Sequence, residues 1–115
     1  QGYTRIHVYG ALDERLDHQH INCLLAYKYP MITLYNDMNR IQAYEKGEYK
    51  IEKEDFNYFS VFAYHPANIS LVGFKYPLDH YDLNINELKT VSNQWIKKDA
   101  TLCVHQGKVL VYLTR

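Results

Sequence analysis

The run Tyr58-Phe59-Ser60-Val61-Phe62-Ala63-Tyr64 is the segment that most constrains how this 115-residue chain can fold. Its odd and even positions are both apolar, so both faces of the strand that it predicts must be covered. A strand covered on both faces lies inside a sheet, and we therefore predict that residues 58–64 form a central strand. Turn-forming residues follow at 65–68, and residues 69–74 are predicted to return beside this strand as its hairpin partner.

Shorter alternating or apolar segments predict further strands. Period-two alternation or high β-propensity marks residues 3–9, 31–35, 49–53, 101–105 and 109–114. The polar segment 49–53 is typical of an edge strand. The last two segments are predicted to form a closing hairpin around Gln106-Gly107.

A helix is predicted over residues 85–98. Asn84 precedes it, and Glu87 stands at the third helical position, which together resemble a capping box. Lys97 and Lys98 lie at its end, where the helix dipole favours positive charge. One apolar face is expected from the spacing of Ile85, Leu88, Val91 and Trp95.

The first half of the chain is open to more than one interpretation. A helix fits residues 12–26, although residues 21–27 also fit a strand. Asn36 and Asp37 are good helix N-caps and Gly47 is a good stop, so a helix between them is one prediction. A hairpin that turns at residues 36–39 is the alternative.

Together these segments predict a single α+β domain over residues 1–115, in which Gln1-Gly2 is interpreted as a tag remnant. The sheet is expected to be mostly antiparallel. One helix is assigned to residues 85–98, with one or two further helices in the first half. The expected core contains Phe59, Val61, Phe62, Leu71, Leu88, Val91, Trp95, Leu102, Val104, Val109 and Val111.

Charge and missing motifs narrow the function. Thirteen Lys and Arg balance thirteen Asp and Glu, whereas proteins that bind nucleic acid usually carry a net basic charge. The five scattered glycines form no phosphate-binding loop, and no Gly-x-Ser-x-Gly motif is present. No apolar stretch predicts a membrane span, and no signal-peptide pattern is seen. We therefore expect a cytoplasmic protein with no membrane partner and no nucleic-acid partner.

One face of the first predicted strand has an unusual composition. Tyr3, Arg5, His7 and Tyr9 share that face, where a strand normally buries aliphatic residues. Arginine supplies charge, histidine can transfer protons, and tyrosine can stack and form hydrogen bonds. These four residues are the predicted binding site. A solvent-exposed face of an antiparallel sheet is the alternative.

The candidate metal ligands are two histidines and two cysteines. His20 and Cys23 share one face if residues 12–26 are helical, and Cys103 and His105 share one face of a strand. Zinc needs three or four such ligands, and no paired Cys-x-x-Cys is present. We therefore expect no metal, no cofactor and no disulfide between the two cysteines.

These observations favour a small non-catalytic binding protein that acts through protein–protein contacts. The expected type is an immunity, inhibitor or adaptor protein of microbial or viral origin, because the chain is neutral, rich in tyrosine and without a catalytic signature. Its partner is expected to be another protein, and a homodimer is one such arrangement. The alternative is a small nuclease-like enzyme that acts on a phosphodiester or nucleotide through the Tyr/Arg/His strand face.

Overall fold

The computed structural model describes residues 5–9 and 16–115. Within those ranges the chain forms one helix and nine strands. In chain order they are β1 (Ile6–Tyr9), α1 (Leu16–Lys28), β2 (Ile32–Tyr35), β3 (Asn39–Tyr44), β4 (Gly47–Glu52), β5 (Tyr58–Phe62), β6 (Ala67–Val72), β7 (Leu78–Leu83), β8 (Asp99–Gln106) and β9 (Val109–Thr114).

The strands form two sheets that pack face to face. Sheet A has the order β1-β2-β3-β9-β5, and sheet B has the order β4-β8-β6-β7. Neighbouring strands are antiparallel except β1 and β2, which are parallel. Helix α1 packs on the other face of sheet A, against β2, β3 and β9. The layers are therefore helix, sheet A and sheet B.

The main core lies between the two sheets. Phe59 of sheet A packs against the rings of Phe74 and Trp95 with centroids 4.4 and 6.2 Å away. The Trp95 side chain donates from Nε1 to the Ile51 carbonyl at 2.9 Å, so its one polar group is paired. A smaller core lies under α1 and contains Cys23, Ala26, Leu34, Ile41, Ala43 and Leu110.

The predicted helix at 85–98 is wrong, and with it the predicted fold class. Residues 84–98 connect β7 to β8 and are called the crossing segment. They form turns and two isolated bridges, in which Asn93 pairs with Phe59 and Trp95 pairs with Phe74. Asn84 begins a single turn, in which its side chain accepts from the Asn86 amide at 2.9 Å. The turn ends before residues 90–93, which read Thr-Val-Ser-Asn and are weak helix formers. The fold is mostly β, with two packed sheets and one helix, α1, in the first half.

The hairpins predicted at residues 65–68 and at residues 106–107 are also wrong, because the strands on either side of each turn belong to different sheets. β5 pairs with β9 in sheet A, while β6 pairs with β7 and β8 in sheet B. The connection after β5 runs from sheet A to sheet B, the connection after β8 runs from sheet B to sheet A, and the two contact each other. A Cβ added to Gly107, which has φ of 84°, would stand 2.8 Å from the Pro66 carbonyl oxygen. Turn residues therefore mark these connections, but the chain changes sheet there.

In the first half the structure chooses between the alternatives. Residues 36–39 form a hairpin turn between β2 and β3, and the helix proposed after Asn36 is absent. The Asn36 side chain accepts from the amides of Met38 and Asn39 at 2.9 and 2.7 Å, which is the local bonding of an Asx turn. No helix in the described part of the chain has the length and apolar character needed to cross a membrane.

Three of the expected core residues lie outside the core. Leu88 is 85% exposed and Val91 is 46% exposed, because both belong to the crossing segment rather than to a helix face. Phe62 is half-buried on the α1 side of sheet A. The other expected core residues, Trp95 among them, are buried.

Candidate functional site

The crossing segment covers the free edge of sheet A. β5 is the last strand of that sheet and not the predicted central strand. Its outward backbone groups bond to the segment. The amide of Phe59 donates to the Asn93 carbonyl at 2.8 Å, and the Asn93 amide returns a bond of 2.8 Å. The amide of Val61 donates to the Thr90 carbonyl at 3.0 Å, and the Thr90 hydroxyl donates to the Val61 carbonyl at 2.6 Å. The segment is therefore fixed along the strand edge.

The side chain of Asn93 joins the crossing segment to the loop between β6 and β7. It is buried, and its Oδ1 accepts from the amides of Tyr76 and Gln94 at 3.0 and 2.9 Å. Its Nδ2 donates to the Tyr76 carbonyl at 2.8 Å. One amide side chain thus satisfies three backbone groups and holds Tyr76 beside the segment.

Between these fixed points the segment turns two residues outward. Ser92 has φ of 61°, in the left-handed region that residues other than glycine seldom adopt. Its amide donates to the Ser60 hydroxyl at 2.8 Å, which holds that conformation in place. Val91 consequently remains exposed. An unfavourable backbone held by several bonds is typical of functional segments.

A groove lies on each side of Val91. The first has a volume of about 270 Å³ and is lined by Leu71, Tyr76, Leu78, Tyr81, Lys89, Thr90, Val91 and Asn93. The second has a volume of about 430 Å³ and lies on the α1 side of sheet A, lined by Tyr58, Ser60, Phe62, Val91, Ser92, Tyr112 and Thr114. The first is called the tyrosine groove below. Its two phenol rings, one amide and one hydroxyl suit a small molecule that contains a ring.

A carboxylate lies beside the tyrosine groove. The Tyr81 hydroxyl donates to Glu87 Oε1 at 2.8 Å, and the Lys89 amide donates to Glu87 Oε2 at 2.9 Å. The bond from the Lys89 amide, followed by that from Tyr81, lowers the pKa of Glu87, so this carboxyl is ionised at neutral pH. The hydrogen bond between Tyr81 and Glu87 also raises the pKa of Tyr81 and keeps its phenol protonated. A fixed negative charge beside aromatic rings favours a cationic ring.

The predicted binding face lies elsewhere, at the β1 edge of sheet A. Tyr3 lies outside the described residues. His7 Nδ1 and the Tyr35 hydroxyl are 3.0 Å apart, and the rings of Tyr9 and Tyr35 stack with centroids at 4.7 Å. Arg5 donates to the Pro30 carbonyl and the Thr33 hydroxyl, each at 3.0 Å. Arg5, His7 and Tyr9 are all exposed, and their role in binding stays a prediction.

Arg5 also lines a cavity of about 360 Å³. Its other lining residues include Gln42, Tyr44, Glu45 and Tyr49. The rings of Tyr44 and Tyr49 are 4.7 Å apart, and burial raises the pKa of the Tyr44 hydroxyl. This cavity is separate from the tyrosine groove, since they share no lining residue.

The four candidate metal ligands form two separate pairs. Cys103 Sγ lies 3.6 Å from His105 Nδ1 on the outer face of sheet B. Cys23 lies in the core under α1, which packs on the opposite side of the layers, and His20 lies on the same helix. Among the described residues, no three or more His, Cys, Asp or Glu side chains are placed to hold a metal ion. Both cysteines are free thiols in the structure.

Comparison with known proteins identifies the domain family to which this two-sheet fold is similar. The family model described as the vitamin B1 binding domain of thiamin pyrophosphokinase matches residues 48–109. The thiamine pyrophosphokinase of Bacillus subtilis is 30% identical over 113 residues, which cover 92% of this chain and 53% of that protein. Its crystal structure superposes with a TM-score of 0.88 at 29% identity, covering 95% of this chain and 54% of that one. A thiamin pyrophosphokinase family protein from Enterococcus faecalis gives a TM-score of 0.84 at 26% identity, covering 96% and 55%.

The fold of the described residues is therefore a β-sandwich domain with one helix, of the kind found in these relatives. The chain belongs to the thiamin pyrophosphokinase vitamin B1 binding domain family, whose model matches more than half of it. It spans about half the length of the relatives that it matches.

The family corrects the predicted function. An immunity, inhibitor or adaptor protein is wrong, because the matched relatives are named as pyrophosphokinases and the matched model is a domain of that enzyme. The nuclease-like alternative is replaced for the same reason. The expectation of a protein partner, homodimer included, stays a prediction.

The residues that sequence reasoning missed are those of the crossing segment. The predicted helix over residues 85–98 includes Thr90, Ser92 and Asn93, and none of the three is a predicted site residue. The signal that marks the segment is the succession Thr-Val-Ser-Asn at 90–93. β-Branched and short polar residues in succession argue against a helix interior and favour extended or turn backbone.

Proposed function

We propose that this chain is the thiamine-recognising part of a thiamine pyrophosphokinase and that the tyrosine groove contacts the vitamin. The observation that carries the proposal is that the tyrosine groove lies within the part of the chain that matches the family model. The family match at residues 48–109 contains the whole crossing segment and every residue that lines the groove. The enzyme's name denotes transfer of a pyrophosphoryl group to thiamine, so this domain's part is to hold the acceptor.

The chemistry of the groove supports a thiamine ligand. Thiamine has an aminopyrimidine ring and a thiazolium ring that carries a permanent positive charge. The rings of Tyr76 and Tyr81 offer apolar faces to such a molecule. The Glu87 carboxylate, which Tyr81 bonds at the side of the groove, supplies a negative charge, and Lys89 in the groove lining carries a positive one. Thr90 and Asn93 are held in place by their backbone partners, so the groove keeps its shape without a ligand.

In this proposal the residues of the chain bind and orient the acceptor. The outward turn at Val91 and Ser92 separates the two grooves, so a molecule that bends over Val91 reaches both. Such a position fixes the direction of the acceptor's hydroxyl, which is the main requirement for phosphoryl transfer.

The test is a titration of the ¹⁵N-labelled chain with thiamine followed by amide NMR. We expect shift changes centred on Tyr76 and residues 90–93. Glu87→Gln should weaken binding about fivefold, the value of an exposed ion pair of roughly 1 kcal/mol, while a neutral ring analogue binds both proteins alike. Val72→Ala, an exposed change on the outer face of sheet B, is the control.

Two results would overturn the proposal. One is the absence of shift changes with thiamine at roughly millimolar concentration. The other is a set of changes centred on the cavity of Arg5, Gln42 and Tyr49 that leaves residues 90–93 unaffected.

A further inference from the structure

The outer face of sheet B carries a cluster of thiol, imidazole and hydroxyl side chains that are not part of the tyrosine groove. In β8, Leu102 and Val104 are buried in the core, so Cys103 and His105 point to the opposite face. β6 lies beside β8 and presents Ser70 on that same face, between the buried Ile69 and Leu71. Cys103, His105, Ser70 and His80 form the cluster.

The imidazole of His105 has partners on both ring nitrogens. Its Nδ1 lies 3.6 Å from Cys103 Sγ, and its Nε2 lies 2.8 Å from the Ser70 hydroxyl. The His80 ring stacks flat against it, with centroids 4.0 Å apart and planes 7° apart. The ring is thus held in one plane with Nδ1 directed at the thiol.

The backbone around Ser70 supports this geometry. The Ser70 hydroxyl also accepts from the His80 amide at 2.9 Å. The register between β6 and β7 shifts between Ile69 and Leu71, and His80 has φ of 48°. The irregular backbone brings the His80 ring over His105. A thiol next to a histidine that a third group orients is the arrangement of an activated nucleophile.

We propose that Cys103 is the nucleophilic thiol of a site that reacts with low-molecular-weight disulfides, with His105 as its proton acceptor. The Cys103 thiol passes its proton to His105 Nδ1, and the thiolate attacks one sulfur of the disulfide. The new Cys103 S–S bond forms as the disulfide's own S–S bond breaks, and the released thiolate takes up the proton from His105. The products are a mixed disulfide on Cys103 and one free small thiol. Ser70 is a positioning residue.

Cys23 provides an internal reference for this reactivity. It is only 7% exposed, and its sulfur accepts from the Tyr112 hydroxyl at 3.3 Å. Burial raises the pKa of the Cys23 thiol, which reduces its thiolate at neutral pH. Cys103 is partly exposed. The two thiols of one chain should therefore differ widely in rate.

Carboxylates lie on both sides of the Cys103 cluster. Glu48 stands directly opposite Cys103 in the β4–β8 register, and its carboxylate disfavours a neighbouring thiolate. On the other side, Asp79 bonds to His80 Nδ1 at 2.7 Å. Removing the Glu48 charge should therefore raise the rate, and removing His105 should lower it.

The experiment exposes the chain to glutathione disulfide, with a metal chelator present, and follows each cysteine by peptide mass spectrometry over time and pH. In the native chain Cys103 should react at least about tenfold faster than Cys23. His105→Gln should slow Cys103 by about tenfold or more at neutral pH and leave Cys23 unchanged. Glu48→Gln should speed Cys103 slightly. His65→Gln, which changes an exposed histidine elsewhere, is the control.

A measurement in denaturant separates this role from a structural one. Unfolded wild-type and unfolded His105→Gln chains should react at the same rate at Cys103, because the pair exists only in the fold. Equal native rates for Cys103 and Cys23, or an unchanged Cys103 rate in a folded His105→Gln chain, would overturn the proposal. The site does not depend on thiamine binding in the tyrosine groove, so either proposal can fail alone.

Discussion

Trp95 shows how one residue can keep its predicted environment while its element changes. It was predicted to be buried on a helix face, and it is buried, at 8% exposure, at an isolated bridge to Phe74. Its ring contacts Phe59 and Phe74, and its indole N–H is paired with the Ile51 carbonyl. A large apolar side chain finds the core from whichever backbone carries it.

Trp95→Ala should lower the free energy of unfolding by about 3–5 kcal/mol, because it leaves a cavity between the sheets. Trp95→Phe should cost about 1–3 kcal/mol, since the Ile51 carbonyl loses its donor. Urea unfolding measures both losses of stability. It is followed by circular dichroism because Trp95 is the only tryptophan, so neither variant retains tryptophan fluorescence.

Leu88→Ala is the control for these variants. Leu88 was expected in the same core but is 85% exposed. Leu88→Ala should therefore change the free energy of unfolding by no more than about 0.5 kcal/mol. Equal losses for Leu88→Ala and Trp95→Ala would contradict the placement of the crossing segment.

At the scale of the element, the crossing segment does the work of an additional strand for sheet A. It satisfies the outward backbone groups of Phe59 and Val61, which would otherwise form an open sheet edge. It also carries Val91 and Ser92 between the two grooves. Edge protection and the candidate site therefore depend on the same bonds.

Asn93→Ala should detach the loop at Tyr76 and lower the free energy of unfolding by at least about 2 kcal/mol, because three backbone groups lose their partner. Hydrogen exchange should accelerate at the Tyr76 amide more than at the Phe59 amide, whose acceptor is a backbone carbonyl.

Gln94→Ala, an exposed neighbour, is the matched control and should change stability by no more than about 0.5 kcal/mol. A Tyr76 amide that exchanges at the wild-type rate in Asn93→Ala would contradict the role assigned to Asn93.

At the scale of the whole molecule, the abundance of tyrosine gives the fold a characteristic response to alkali. Burial is the largest cause that raises the pKa of Tyr112, Tyr44 and Tyr64. Below the ordinary phenol pKa of about 10, both folded and unfolded chains are protonated and the full stability is present. Above it, the unfolded chain loses protons that the folded chain retains, so stability falls as pH rises.

Tyr112→Phe should remove part of that alkaline loss. One pH unit above the ordinary phenol pKa, a group still protonated in the fold contributes a loss of about 1.4 kcal/mol, which the variant lacks. The measurement is urea unfolding of both proteins across the alkaline range. Tyr9→Phe removes a phenol that is 73% exposed and is the control. Parallel curves for wild type and Tyr112→Phe would contradict the prediction.

The sequence by itself determined where most strands lie, because alternation and short apolar runs are local properties. The segments at 31–35, 49–53, 58–64 and 109–114 all overlap strands. It also determined most of the core, since residues such as Phe59, Val61 and Leu102 are buried in any sheet that contains them.

Only the tertiary structure decided which sheet each strand joined. A hairpin and a crossing between sheets use similar turn residues, as His65-Pro66 and Gly107 do here, and the difference is set by what packs on each face. The segment 84–98 became an edge cover because β5 offered unpaired backbone groups to Thr90 and Asn93. The candidate groove depends on that long-range pairing, and for this reason no local pattern could reveal it.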